Sequence, residues 1–276
     1  MRRLTTPLAT LGLCAALLVT GGSGTSGTSG TAAPQRLPAN GRFDYQIGGA
    51  YTPDASAAIV DRDRSAGPAG GTYDICYVNA FQTQPAEEAF WTGSHPDLLL
   101  RDEDGGLVED PDWPGEFFLD VSTAGKRADV AEIVGGWIDG CRDDGFEAVE
   151  PDNLDTWTRS GGRLTEADAV AYATLLADRA HADGLAIAQK NAGSLGSIGR
   201  DSVGFDFAIA EECQNYSECD DYTDVYGDDV LEVEYTDNPR TAYTTACAAQ
   251  GRRISVLLRD RDVVPRGDEA YHDETC

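Results

Sequence analysis

The chain has 276 residues, 41% of them apolar, enough to close one large core without a second domain. It carries 48 acidic against 21 basic residues, a formal charge of −27. A field of that sign repels polyanions over roughly 10 Å in dilute salt, so nucleic acid is excluded as a natural partner and a polycation is drawn in, although acidity also serves solubility.

Arg2 and Arg3 precede an apolar stretch from Leu8 to Val19 that is too short, and too interrupted by Thr10 and Gly12, to span a membrane. That is the pattern of a secretory leader. A Gly/Ser/Thr tract from Gly21 to Thr31 follows, with almost no side chain to bury, and reads as a tether. Residues 1–33 are therefore taken as leader and tether, and residues 41–276 as the folded domain of a secreted protein with no membrane attachment once the leader is removed.

Short apolar or β-branched runs then alternate with amphipathic stretches. The runs are Phe43 to Ile47, Ala57 to Val60, Tyr73 to Asn79, Phe117 to Val121, Phe146 to Asp152, Leu185 to Asn191, Phe205 to Glu211, Val230 to Tyr235 and Ile254 to Leu258. Helices are expected over Ala128 to Arg142 and Thr165 to Asp183, the second opened by a cap at Leu164-Thr165-Glu166-Ala167-Asp168 and closed by Gly184. Repeated β-then-α order predicts an α/β protein with a single parallel (β/α)8 TIM barrel. One candidate strand is surplus. Ala57 to Val60 is taken as an extra strand near the N-terminus, because too few residues flank it to hold covering helices.

With Cys14 in the leader set aside, six cysteines remain, an even count in an exported protein. Cys213 and Cys219 are the pair that spacing favours. Cys76 and Cys141 would both lie at the bottom of a parallel barrel, which leaves Cys247 to tie Cys276. Neither Cys213 nor Cys219 has a histidine nearby in sequence for a zinc site, and the acidic loop from Asp102 to Asp112 misses the EF-hand frame, so no metal site is expected. No Gly-rich phosphate loop follows any strand, and no cofactor is expected.

Polar residues recur where these runs end. In Gly145-Phe146-Glu147-Ala148-Val149-Glu150-Pro151-Asp152-Asn153-Leu154-Asp155, strict alternation puts Glu150 and Asp152 on one side, with Asp155 just beyond. In Phe205-Asp206-Phe207-Ala208-Ile209-Ala210-Glu211-Glu212-Cys213, Glu211 shares the side of Phe207 and Ile209 while Glu212 points opposite. Glu234, Asp120, Lys190 with Asn191, and Asp44 end other runs. Neighbouring carboxylates oppose each other's ionisation and can divide into a charged group and a proton-holding one, the division that acid/base catalysis uses. The other reading is a structural network around Lys190 or an arginine.

Six segments in order resemble glycoside hydrolase family 114: Phe43-Asp44-Tyr45-Gln46-Ile47-Gly48-Gly49, Ile75-Cys76-Tyr77-Val78-Asn79-Ala80-Phe81, Glu150-Pro151-Asp152-Asn153-Leu154-Asp155, Gln189-Lys190-Asn191, Ala210-Glu211-Glu212-Cys213 and Val233-Glu234-Tyr235. The resemblance implies a (β/α)8 enzyme acting on α-1,4-linked galactosamine-rich polymer, a cationic amino-sugar polysaccharide. It carries two catalytic carboxylates onto Asp152 and Glu211, with Glu212 the alternative for the second. We assign Asp152 as nucleophile and Glu211 as general acid/base, and expect Asp44, Tyr45, Tyr77, Asp120, Glu150, Asp155, Lys190, Asn191, Glu234 and Tyr235 to contact or support the substrate. A hydrolase of another amino-sugar polymer, and a barrel that binds cationic glycan without cutting it, are the alternatives.

Overall fold

The computed structural model describes residues 33–276; the expected leader and tether fall almost entirely on residues 1–32, outside the described residues. β1 (Phe43–Gln46), β2 (Ile59–Asp63) and β3 (Tyr73–Asn79) follow one another with no α-helix between them. After β3 come α1 (Glu88–Ser94) and α2 (Ala124–Asp144), then β4 (Ala148–Asp152), α3 (Thr156–Arg159) and α4 (Glu166–Ala182). β5 (Ala186–Lys190) leads to β6 (Phe207–Glu211), α5 (Cys213–Tyr216), α6 (Cys219–Tyr226), β7 (Val230–Tyr235), α7 (Thr241–Ala249), β8 (Ser255–Arg259) and β9 (Asp273–Thr275).

β1 to β8 pair in chain order, all parallel, and β9 adds an antiparallel strand to β8. This is the eight-stranded barrel. Side chains bridge β8 to β1 and the residues just before it: Ser255 Oγ donates to the Gly41 carbonyl at 2.6 Å and Arg259 Nε to the Tyr45 carbonyl at 3.2 Å.

The strand count came out differently from expectation in two places. Ile59–Asp63 is a full member of the ring, paired on both sides, rather than a surplus strand. Phe117 to Val121 lies outside it, making only isolated antiparallel bridges with Gln82, Leu99 and Glu109. The physical reason is the outer face of β1 and β2. It is polar, with Arg62 Nε donating to Gln46 Oε1 at 2.9 Å and Arg62 Nη2 to the Tyr51 carbonyl at 2.6 Å, so a loop covers it where an apolar face would need a helix.

Alternation sorts the remaining strand residues into two layers. Phe43, Tyr73, Ile75, Phe207, Ile209, Leu231, Val233 and Leu257 pack inside the barrel, while Val78, Val149, Ile187, Val230 and Leu258 face outward into a second cluster with Val130, Val134, Ile138, Tyr172 and Leu176 of α2 and α4 and Tyr243 and Ala246 of α7. α4 opens on a reciprocal cap. Thr165 Oγ1 accepts from the Asp168 N–H at 3.2 Å and the Asp168 carboxylate from the Thr165 N–H at 3.1 Å, worth about 1 kcal/mol. Gly145, at φ 95°, ends α2 in the left-handed conformation that only glycine adopts without penalty.

Three disulfides form in the expected pairs. Cys76–Cys141 ties β3 to α2, Cys213–Cys219 joins α5 to α6, and Cys247–Cys276 anchors the chain end to α7. Among the described residues no helix is long and apolar enough to cross a membrane.

Candidate active site

At the C-terminal ends of the strands the inward row becomes polar: Tyr77 on β3, Asp152 on β4, Lys190 on β5, Glu211 on β6 and Tyr235 on β7. They border a cavity of about 440 Å³ together with Asn153, Asp155, Asn191, Glu212 and a rim of loop residues. The barrel end is where backbone geometry holds side chains rigidly yet leaves them reachable.

Lys190 organises the floor. Its Nζ lies 2.8 Å from Glu150 Oε1, 3.2 Å from Asp152 Oδ1 and 3.3 Å from Glu211 Oε2. Burial works against its charge, but Asp152, Glu150 and Glu211 outweigh it and hold the ammonium well above the ordinary lysine value. Asp152 and Glu211 therefore touch one nitrogen. Their nearest oxygens can be no further apart than those two contacts laid end to end, about 6.5 Å.

Asp152 is surrounded by donors. Tyr77 donates to Oδ2 at 2.9 Å and the Asn153 N–H to Oδ1 at 2.8 Å. Burial alone would raise its pKa; Lys190, Asn153 and Tyr77 together hold it below the usual carboxylate range, so it is an anion. Asn153 itself stands in the left-handed region, at φ 66°.

Glu211 is gripped by Asn191, whose Nδ2 donates to Oε2 at 2.9 Å and whose Oδ1 accepts from the Glu211 N–H at 2.8 Å. The Tyr235 hydroxyl closes on Oε1. A hydroxyl can donate or accept, so this partner serves Glu211 in either protonation state.

Glu212 also borders the cavity but is engaged otherwise. At φ 60° it turns to Arg261, which donates to its two oxygens at 2.9 and 2.8 Å, and this pairing holds its carboxyl below the ordinary value. A carboxylate so neutralised is poorly suited to carry a proton.

The sequence matches the family model described as glycoside-hydrolase family GH114 over residues 24–276. The chain belongs to this family of glycoside hydrolases. Among solved structures the hydrolase is similar to Aspergillus fumigatus Ega3 in complex with galactosamine, with a TM-score of 0.72 and 24% identity over 89% of this chain and 99% of that one. It is similar also to the glycoside hydrolase domain of PelA from Pseudomonas aeruginosa, with a TM-score of 0.55 and 12% identity over 86% of this chain and 98% of that one. At such identities the likeness shows the barrel fold. A search of curated proteins finds no match.

Of the expected substrate-supporting residues, the hydrolase brings Tyr77, Asp155, Lys190, Asn191 and Tyr235 to the cavity. Tyr45 and Glu150 lie beneath it, fully buried, with the Tyr45 hydroxyl donating to Glu150 at 2.9 Å and accepting from Lys190 at 3.1 Å. Three lie elsewhere. Asp44 alternates with Tyr45, so it points outward and accepts from the Tyr51 hydroxyl. Glu234 alternates with Tyr235 and likewise faces out, where its carboxylate accepts from the Gln214 N–H at 2.9 Å at the start of α5. Asp120 lies within the segment that never joins the barrel, and pairs with Lys126 at 2.7 Å beside a separate surface hollow.

The rim held residues that sequence reasoning did not single out: Gln84, Trp113, Glu116, Arg159 and Arg261. Trp113 is half-exposed. Glu116 accepts from Asn79 at 2.9 Å, and burial, despite that bond, pushes it up to about 7. Trp113 and Glu116 sit in the loop between α1 and α2, where no alternation marks which side chains turn inward. Only a lone tryptophan amid Pro, Asp and Gly hinted at exposure.

Proposed function

We propose that this hydrolase is exported and cleaves α-1,4 bonds within a galactosamine-rich, cationic polysaccharide, with retention of anomeric configuration. Asp152 attacks the anomeric carbon while Glu211 gives its proton to the departing glycosidic oxygen. Glu211 then takes a proton from water, which displaces Asp152 from the sugar. Neither step calls for a metal or an organic cofactor.

The observation that carries this reading is the shared contact on Lys190. Retaining enzymes keep their carboxyl groups about 5 to 5.5 Å apart, inverting ones roughly 6.5 to 9.5 Å. An upper bound near 6.5 Å leaves little room for a water between Asp152 and its partner, which favours retention. Three carboxylates around one ammonium also carry excess negative charge. That excess favours one of them holding a proton, and Asp152, which Lys190, Asn153 and Tyr77 hold below the usual carboxylate range, is the least suited to do so.

For the substrate, the cavity lining has six acids (Glu116, Asp152, Asp155, Glu211, Glu212, Asp262) against three bases (Arg159, Lys190, Arg261), and each base is already paired. A sugar bearing an ammonium suits that lining better than a neutral one. A second hollow lined by Trp157 and Tyr216 shares Asp155, Asn191, Glu211 and Glu212 with the first, so room exists on both sides of the acid pair for cleavage inside a chain. The leader pattern and three disulfides support export.

Incubating the protein with partially deacetylated α-1,4 polygalactosamine should release oligosaccharides and new reducing ends. Polymer left at full length would contradict the reading and favour a glycan-binding role.

A further inference from the structure

Asp61 lies on β2 in the inward row and is fully buried. Neither of its carboxyl oxygens meets a hydrogen-bond donor among the described residues. Glu150, also fully buried, is half-satisfied: Oε1 takes bonds from Tyr45 and Lys190, and Oε2 takes none. The two carboxyl groups lie in hydrogen-bonding contact with each other.

A buried anion with no donor costs several kcal/mol, and two anions in contact cost more. A single proton pairs two of the three orphaned oxygens and leaves the third as the carbonyl oxygen of a neutral acid, which is far cheaper to bury than an anion. Carried by Asp61, it makes that side chain neutral and gives Glu150 Oε2 the donor it lacks, leaving Glu150 free to balance Lys190. Placed on Glu150, it would weaken the 2.8 Å contact with the ammonium. Burial, with Glu150 beside it, also drives the Asp61 carboxyl well above the ordinary value.

We propose that Asp61 is a positioning residue: as a neutral acid it donates to Glu150 and keeps Glu150 turned onto Lys190, which in turn holds the ammonium between Asp152 and Glu211. Asp61 does not touch the cavity, and nothing in the reaction passes through it. The charged groups facing it are Glu150 and Asp152 from β4 and Lys190 from β5. The effect on turnover rests on the glycosidase reading above; the protonation state does not.

Two measurements test this, and they fail separately. Infrared difference spectra of the full wild-type protein against Asp61→Asn at neutral pH should contain the carbonyl stretch of an un-ionised carboxylic acid that the variant loses. A carboxylate signal in its place would overturn the proposal whatever the enzyme cleaves. In turnover on galactosamine polymer, Asp61→Ala should lower kcat about ten- to a hundredfold with KM little changed, since a hydrogen bond to a charged group is lost away from the substrate. Asp61→Asn, which keeps an N–H donor without charge, should restore most of that loss. Equal loss in both folded variants, or full activity in Asp61→Ala, would overturn the positioning role. Should wild type prove inactive on the polymer, the infrared result still decides the proton.

Discussion

Asn191 holds Glu211 at two points, accepting from its backbone N–H at 2.8 Å and donating to its carboxylate at 2.9 Å. The clasp fixes both where the strand end sits and which way the acid points. It depends on Asn191 standing in the left-handed region, at φ 51°, which asparagine tolerates better than most residues. Replacing it with alanine should lower kcat roughly a hundredfold, because a misplacement of about 1 Å at a reacting group has that scale of effect. Asn191→Gly accepts the same backbone without strain and should lose kcat equally, as measured on a soluble galactosamine oligomer. Recovery of activity in the glycine variant would assign the effect to backbone strain instead.

Lys190 is the single ammonium among Glu150, Asp152 and Glu211, fully buried together with Glu150 while Asp152 and Glu211 open onto the cavity. Lys190→Met leaves the buried Glu150 carboxylate without its counter-charge. The loss in unfolding free energy should be about 3 to 5 kcal/mol by chemical denaturation. A change below about 1 kcal/mol would mean that the acids were not relying on it.

The site was legible to the extent that alternation was followed strictly. Glu150, Asp152 and Glu211 were found because carboxylates closing an apolar run of constant parity must share the inward row. The same rule separates Asp44 from Tyr45 and Glu234 from Tyr235: adjacent residues of one strand cannot both face the cavity. Asp61 escaped notice because its strand was counted as surplus. The expectation that each barrel strand needs a helix fails where the outer face is polar, as Gln46 and Arg62 make it here. Loop residues such as Trp113 carry no periodicity, and their convergence on the cavity is set by tertiary contacts alone.

Glu232 offers a test of that outward face. It is buried beside Glu234 with neither oxygen otherwise hydrogen-bonded, and burial followed by Glu234 pushes it up to about 8. The native protein thus keeps a proton that the unfolded chain releases, so this contribution to stability is complete below about pH 4.5 and is lost as pH rises towards 8. The slope is at most about 1.4 kcal/mol per pH unit. Glu232→Gln, neutral throughout, should match wild type at the acid end and exceed it progressively up to pH 8 in denaturation experiments. A constant difference across that window would show the carboxyl to be ionised in the fold.

Trp113 stands half-exposed at the cavity rim, an apolar face available for a sugar ring to stack on. Trp113→Ala should raise KM for polymer by up to about tenfold and leave kcat nearly unchanged, since a stacking contact is worth about 0.5 to 1.5 kcal/mol. A fall in kcat at constant KM would move Trp113 from holding the chain to shaping the reacting geometry.

Two carboxylates meeting over one ammonium are the centre of the proposed reaction, and reducing-end release from partially deacetylated polygalactosamine by Asp152→Asn and Glu211→Gln tests their role most directly. Each folded variant should lose at least about a thousandfold in kcat, with oligosaccharide products absent. Near-normal turnover in either one would contradict the assignment.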